Sequence, residues 1–138
     1  ANPLGLTENT SYTMRKKLEL KFLGGLESYL EDKSQNVVTL EIESEKFTFE
    51  NLIAYIRNHI LVDRKDVFAD HVMCDGTEFC QVLVNNVERK NYNLNEKAKI
   101  KPGIIVLINE YDWEIMHMYE YQIKDGDKLC FLSTLHGG

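Results

Sequence analysis

The residues best suited to chemistry are the last six of the chain, Ser133-Thr134-Leu135-His136-Gly137-Gly138. Glycine has no Cβ, so the Gly137-Gly138 pair is a thin strip of backbone that can thread a narrow channel and present an unhindered carboxyl group to ATP. A bulkier pair would block that approach, and the reacting group is therefore expected to be the terminal carboxylate of Gly138. Two terminal glycines also fit a frayed end or a cloning remnant, and the residues upstream decide between these readings.

Other candidates carry weaker signals. His71, Cys74 and Cys80 are all possible zinc ligands, but a closed structural site needs four ligands at recognisable spacing, and the sequence has no second CxxC or HxxxH pair. No metal is expected. Cys130, between Leu129 and Phe131 in a strand-like run, is either a buried small hydrophobe or an exposed thiol, depending on the face it takes. Trp113, near Tyr111, Tyr119 and Tyr121, belongs to a partner patch or covers a small core, and the second reading is preferred.

Composition narrows the classes. With 138 residues and 43% apolar content, the chain is expected to be one globular domain. A net charge of -6 argues against direct nucleic-acid binding, which rests on Lys and Arg displacing counterions. The acidity suits a protein partner with a basic surface, or simply a solvated face. Three cysteines form no disulfide framework and are expected to be free thiols in a reducing compartment. No apolar run reaches the roughly 20 residues of a membrane span, and no signal-peptide pattern opens the chain. The expectation is a cytoplasmic or nuclear monomer with no membrane contact.

The elements that must hold the tail follow from periodicity. Residues 1 to 16 show no period and read as a disordered leader, with Met14 a candidate native start behind an expression remnant. Leu18-Glu19-Leu20-Lys21-Phe22 alternates as a half-buried strand, Gly24-Gly25 turns, and Val38-Thr39-Leu40-Glu41-Ile42 pairs back as a hairpin. Thr48 is a candidate N-cap for a helix whose Leu52, Ile53, Ile56 and Ile60 line one face. After Lys101-Pro102-Gly103 comes the apolar run Ile104 to Ile108. Asp125-Gly126-Asp127 then turns into a last strand, Lys128 to Ser133. The strand leads straight into residues 135 to 138, a flexible tail that reaches at most about 14 Å. Such an arm can enter a partner's active site while the folded body, residues 17 to 134, docks outside.

Three blocks carry a resemblance: Phe22-Leu23-Gly24-Gly25-Leu26-Glu27; Pro102-Gly103-Ile104-Ile105-Val106-Leu107-Ile108-Asn109 with Asp112-Trp113-Glu114; and the Leu135-His136-Gly137-Gly138 ending. Together and in this order they resemble the ubiquitin-related modifier family of eukaryotic sulfur carriers. The resemblance implies an α+β β-grasp fold, a mixed sheet covered by one main helix. It implies a carrier rather than an enzyme. An ATP-dependent activating enzyme adenylates the Gly138 carboxylate, and its rhodanese-like domain delivers persulfide sulfur to give a thiocarboxylate. Linking a poor electrophile to AMP provides the leaving group that the persulfide displaces. A tRNA thiolation complex then uses that sulfur for 2-thiolation of the wobble uridine, and the same terminus can be joined to lysines of target proteins. Gly137 would be the threading element and Leu135 and His136 recognition contacts, His136 being alternatively a proton relay. No bound cofactor is implied; ATP and the persulfide belong to the activating enzyme.

The chain departs from the family between about residues 69 and 100, where it carries an insertion. Val82-Leu83-Val84-Asn85-Asn86 reads as a strand and turn, and Asn91, Asn93 and Asn95 mark a polar, mobile segment. The expectation is a surface excursion that leaves the grasp intact. Two alternative functions remain: the small β-grasp subunit of another sulfur-transfer enzyme such as molybdopterin synthase, and a ubiquitin-like binding module that is never activated.

Overall fold

Leu18, Leu20 and Phe22 alternate with charged residues, so one face of their strand must be buried, and all three are fully buried in the structure. The computed structural model describes residues 15–134. The leader reading for residues 1 to 14 lies outside the described residues. Arg15 and Lys16, read as part of that leader, instead begin the first strand, where they face Glu43 and Ile42.

In chain order the strands are β1 (Arg15–Leu23), β2 (Val37–Glu43), β3 (Ala69–Met73), β4 (Phe79–Val84), β5 (Val87–Glu88), β6 (Tyr92–Asn93), β7 (Glu96–Ile100), β8 (Ile104–Ile108), β9 (Tyr111–Asp112) and β10 (Lys128–Ser133). The main sheet runs β5-β4-β2-β1-β10-β8-β9. Only β1 and β10 pair in parallel within it; the other neighbours are antiparallel. The stretch β2-β1-β10-β8-β9 is the mixed sheet of a β-grasp, with the C-terminal strand beside the N-terminal one.

The helix α1 (Phe49–Tyr55) starts where the sequence places it. Thr48 Oγ1 accepts from Asn51 N at 3.2 Å, and Asn51 Oδ1 accepts from Thr48 N at 2.9 Å, a reciprocal cap that satisfies two otherwise orphaned donors. A single π-helical turn, Ile56–Ile60, widens its end, with Leu61 N bonding back to Ile56 O. Leu52, Ile53, Ile56 and Ile60 are buried, so the apolar face covers the sheet as expected.

The segment 69–100 corrects its reading as a surface excursion. β4 adds to the outer edge of β2 over Leu40↔Val84 to Glu43↔Gln81, extending the main sheet. Its Cys80, Val82 and Val84 enter the common core. The turn was legible: Asn85 and Asn86 both take positive φ (51° and 67°), the left-handed pair of a tight hairpin that asparagine tolerates. Asn85 also continues the β2 ladder, exchanging bonds with the backbone of Thr39.

The asparagine-rich stretch is packed rather than loose. Tyr92 is buried, its hydroxyl 2.8 Å from Glu96 O and 3.1 Å from Asn51 O. Asn51 Nδ2 reaches across from α1 to donate to Leu94 O and Glu96 O, both at 2.8 Å. Asn93 Oδ1 accepts from both the backbone and the side chain of Asn95. β7 then packs on α1 and pairs with β3 in a separate two-stranded ribbon.

Candidate functional site: the root of the C-terminal arm

Leu135, His136, Gly137 and Gly138 lie outside the described residues, so the site is built from what holds the chain just before them. β10 occupies the middle of the sheet between β1 and β8, and Phe131 is fully buried, its ring 5.6 Å from that of Phe22. A strand paired on both sides cannot fray without breaking two ladders.

Both ends of β10 are pinned. At its start, buried Asp127 accepts from Tyr121 Oη at 2.7 Å, Lys124 N at 2.8 Å and Asn109 Nδ2 at 3.0 Å. Asn109 Oδ1 in turn accepts from Lys128 N at 2.9 Å. Burial first, then the Asp127 carboxylate, pushes the Tyr121 phenol well up, so it remains a hydrogen-bond donor. The sequence showed the Asp125-Gly126-Asp127 turn but not this hub, because its partners lie 6 and 18 residues away in the chain.

At its exit, Thr134 N and Oγ1 both donate to Gly103 O, at 2.8 and 2.9 Å. Gly24 stands directly beside this point with φ +68°, and a Cβ there would meet Ser133 O at 2.3 Å. The Gly24-Gly25 turn is therefore the close backbone approach that seats the end of β10, a role only glycine fills.

Register puts Leu23, Leu132 and Ile105 side by side on the sheet face opposite α1, with Lys21, Cys130 and Leu107 in the next row. Ile105 is 40% exposed, and Leu23, Leu107, Cys130 and Leu132 are half-buried, so an apolar strip borders the point where the arm leaves.

The remaining candidates separate. Trp113 is buried, stacked on Phe49 at 5.1 Å and edge-on to Tyr119 at 4.8 Å, and Tyr121 is buried; this is core covering, while Tyr111 is exposed. Cys130 is half-buried on the open face, its thiol raised by burial against the opposing Lys21 charge. Cys80 is buried and pushed up to about 11, which leaves it an inert thiol, and Cys74 is exposed. His71 lies on the β3 ribbon opposite Ala98, whereas Cys80 belongs to the main sheet, so the structure does not bring the zinc candidates together. Among the described residues no group of three or more His, Cys, Asp or Glu side chains is placed to hold a metal ion. No described helix is long and apolar enough to cross a membrane.

Known proteins share this architecture. The family model Urm1 (ubiquitin related modifier) matches residues 17–138. Ubiquitin-related modifier 1 of Candida glabrata is 35% identical over 122 residues, covering 88% of this chain and 98% of that protein. The human protein of the same name is 30% identical over 121 residues, covering 88% and 94%. The crystal structure of a Rurm1-related protein from Plasmodium yoelii is 64% identical, with a TM-score of 0.81 over 88% of this chain and 100% of that one. The solution structure of Urm1 from Trypanosoma brucei, at 22% identity and a TM-score of 0.55 over 90% and 97%, shares the fold. A β-grasp sheet with its last strand pinned at both ends, matched by the family model from β1 to residue 138, makes this chain a member of the ubiquitin-related modifier family, ubiquitin-like modifiers rather than catalysts.

Proposed function

We propose that the chain is a sulfur carrier whose Gly138 carboxylate is adenylated by an ATP-dependent activating enzyme and converted by its rhodanese-like domain to a thiocarboxylate. In the first step a carboxylate oxygen attacks the α-phosphorus of ATP, pyrophosphate leaves, and an acyl-adenylate forms. A persulfide sulfur then attacks the acyl carbon and AMP leaves. Reductive cleavage of the resulting acyl disulfide by a thiol of the enzyme frees the thiocarboxylate. Its sulfur goes to the 2-position of the wobble uridine through a tRNA thiolation complex. The same activated terminus is attacked by lysine amines of target proteins to give isopeptide bonds.

The observation that carries this reading is the pinned exit of β10, where Thr134 and Gly24 lock the backbone immediately before Leu135-His136-Gly137-Gly138. A rigid root with a four-residue arm lets the body dock while Gly138 reaches inside, Gly137 keeps the arm thin, and Leu135 and His136 contact the channel walls. The apolar strip of Leu23, Ile105 and Leu132 is the body surface that meets the activating enzyme. Transfer to tRNA without direct RNA binding agrees with the net charge of -6, and the pathway places the protein in the cytoplasm or nucleus.

Intact mass after incubation with activating enzyme, ATP and a sulfur donor tests the proposal. A gain of about 16 Da, sulfur replacing oxygen at the acyl carbon, is expected for the full chain and not for a variant lacking Gly138. No gain, with an enzyme active on another carrier, favours the unactivated binding module. Copurification with a molybdopterin synthase large subunit favours the other sulfur-transfer complex.

A further inference from the structure

On the helix-covered side of the sheet, the inserted segment lines one side of a half-open cleft of about 580 Å³. Its apolar walls include Val38 of β2, Ile60 of the π turn and Val84 of β4. The size is that of a small-molecule site, which typically combines apolar walls with a few fixed polar groups. Two of its polar groups, on Tyr55 and Arg89, stand where a ligand in the cleft would reach them.

The first is Tyr55, the last residue of α1. Its side chain is 3% exposed, with its ring against His59 at 4.8 Å and Tyr92 at 5.2 Å. The Tyr55 hydroxyl has no hydrogen-bond partner among the described residues, yet the residue lines the cavity. Among the described residues the one sealed side-chain polar atom without a partner is Trp113 Nε1, so the Tyr55 oxygen opens into the cleft, unlike that of Tyr92 beside it, which is held by Glu96 O. Burial pushes the Tyr55 phenol up to about 12, opposed chiefly by the charge of Arg89, so the group stays a neutral donor and feels that guanidinium.

The second, on Arg89, lies in a bulge. Between the pairs Leu83↔Glu88 and Cys80↔Tyr92, the residues Gln81 and Val82 of β4 face the longer stretch Arg89-Lys90-Asn91. One extra residue distorts the ladder, with Arg89 N still donating to Val82 O at 3.0 Å, and re-aims the side chains. Arg89 and Lys90 both line the cavity, and neither forms an ion pair among the described residues. Of the acidic residues on the lining, Asp32 is engaged by the backbone and hydroxyl of Ser34, and Glu96 accepts from Asn58 Nδ2. Glu31 adds a further carboxylate to the lining and forms no ion pair among the described residues.

We propose that this cavity binds a small apolar carboxylate, its anionic end held by the Tyr55 hydroxyl and the Arg89 guanidinium and its body against Val38, Ile60 and Val84. In the cleft the carboxylate replaces water as the acceptor for the phenol and gives the exposed Arg89 guanidinium a counter-charge. The site is built by the inserted segment together with α1, β2 and the loop that precedes β2.

The test is a titration of the ¹⁵N-labelled full chain with 3-phenylpropionate, in parallel with the neutral 3-phenylpropionamide. Saturable shifts are expected at the amides of Tyr55, His59, Val84 and Arg89, with the acid binding at least about tenfold more tightly than the amide. Tyr55→Phe removes only the unpartnered oxygen and Arg89→Gln alters an exposed side chain, so both variants should fold; each should weaken the acid by about tenfold. Tyr111→Phe, remote and exposed, should leave binding unchanged. Shifts that do not saturate, equal affinity for acid and amide, or full affinity in both Tyr55→Phe and Arg89→Gln would overturn the proposal.

Discussion

Gly24 and Ser133 meet so closely that a Cβ on the first would stand 2.3 Å from the carbonyl oxygen of the second. The turn that ends β1 is thereby in contact with the last residue of β10, and the exit of the arm depends on a position more than a hundred residues earlier in the chain. Gly24→Ala must both adopt φ +68° and displace backbone, at a combined cost of about 2–4 kcal/mol. Chemical denaturation should show that loss, and a change below about 0.5 kcal/mol would mean that the turn moves freely. Gly25, with nothing within 4 Å of its Cβ position, should pay only for its φ of +103°.

The inserted segment is expected to behave as core. Val82 is fully buried, and Val82→Ala should cost about 1–3 kcal/mol, against the roughly 0.5 kcal/mol expected of a surface position. Equilibrium unfolding distinguishes the two cleanly.

Asn51 joins helix and insertion through its cap with Thr48 and its two bonds to Leu94 O and Glu96 O. Asn51→Ala should lower stability by about 1–3 kcal/mol, since it removes the reciprocal half of the cap, the bond from Thr48 N, and takes the side-chain donor from Leu94 O, while Glu96 O keeps Tyr92 Oη. Amide exchange across residues 92–98 should accelerate with it. Unchanged protection there would show that Tyr92 alone holds the segment.

Docking and stability should separate at Ile105. Because it is 40% exposed on the open face, Ile105→Asp should leave the melting temperature within a few degrees while slowing formation of the thiocarboxylate by about tenfold or more. An unaffected rate would move the docking surface elsewhere.

Acid should weaken the fold through His59. Burial lowers its pKa in the folded state, opposed by Glu96 and reinforced by Lys65, while Tyr55 and Tyr92 pack against the ring. The unfolded chain therefore binds more protons near and below the ordinary value of 6.5, and stability should fall as pH drops through that window toward the lower folded value. His59→Gln should flatten this part of the stability profile measured between pH 7 and 5. The ring is about half exposed, so the effect should be modest.

The sequence by itself determined the local elements. Alternation located β1 and β2, the branched run Ile104 to Ile108 became β8, and Lys128 to Ser133 became β10 without a change of boundary. Thr48 and the spacing of Leu52, Ile53, Ile56 and Ile60 announced the helix, because capping and period are properties of neighbouring residues. The three motif blocks carried the family. Tertiary structure alone decided where 69–100 would lie. Its strands are short, and nothing local tells Val82 and Val84 that the open edge of β2 is available to pair with. Likewise Gly24 is legible as a turn but not as the neighbour of Ser133, and Tyr55 is legible as part of a helix but not as a hydroxyl that opens into a cleft. Periodicity reports which side of an element is buried; which element covers it, and where the cover leaves a gap, depends on contacts distant in the chain.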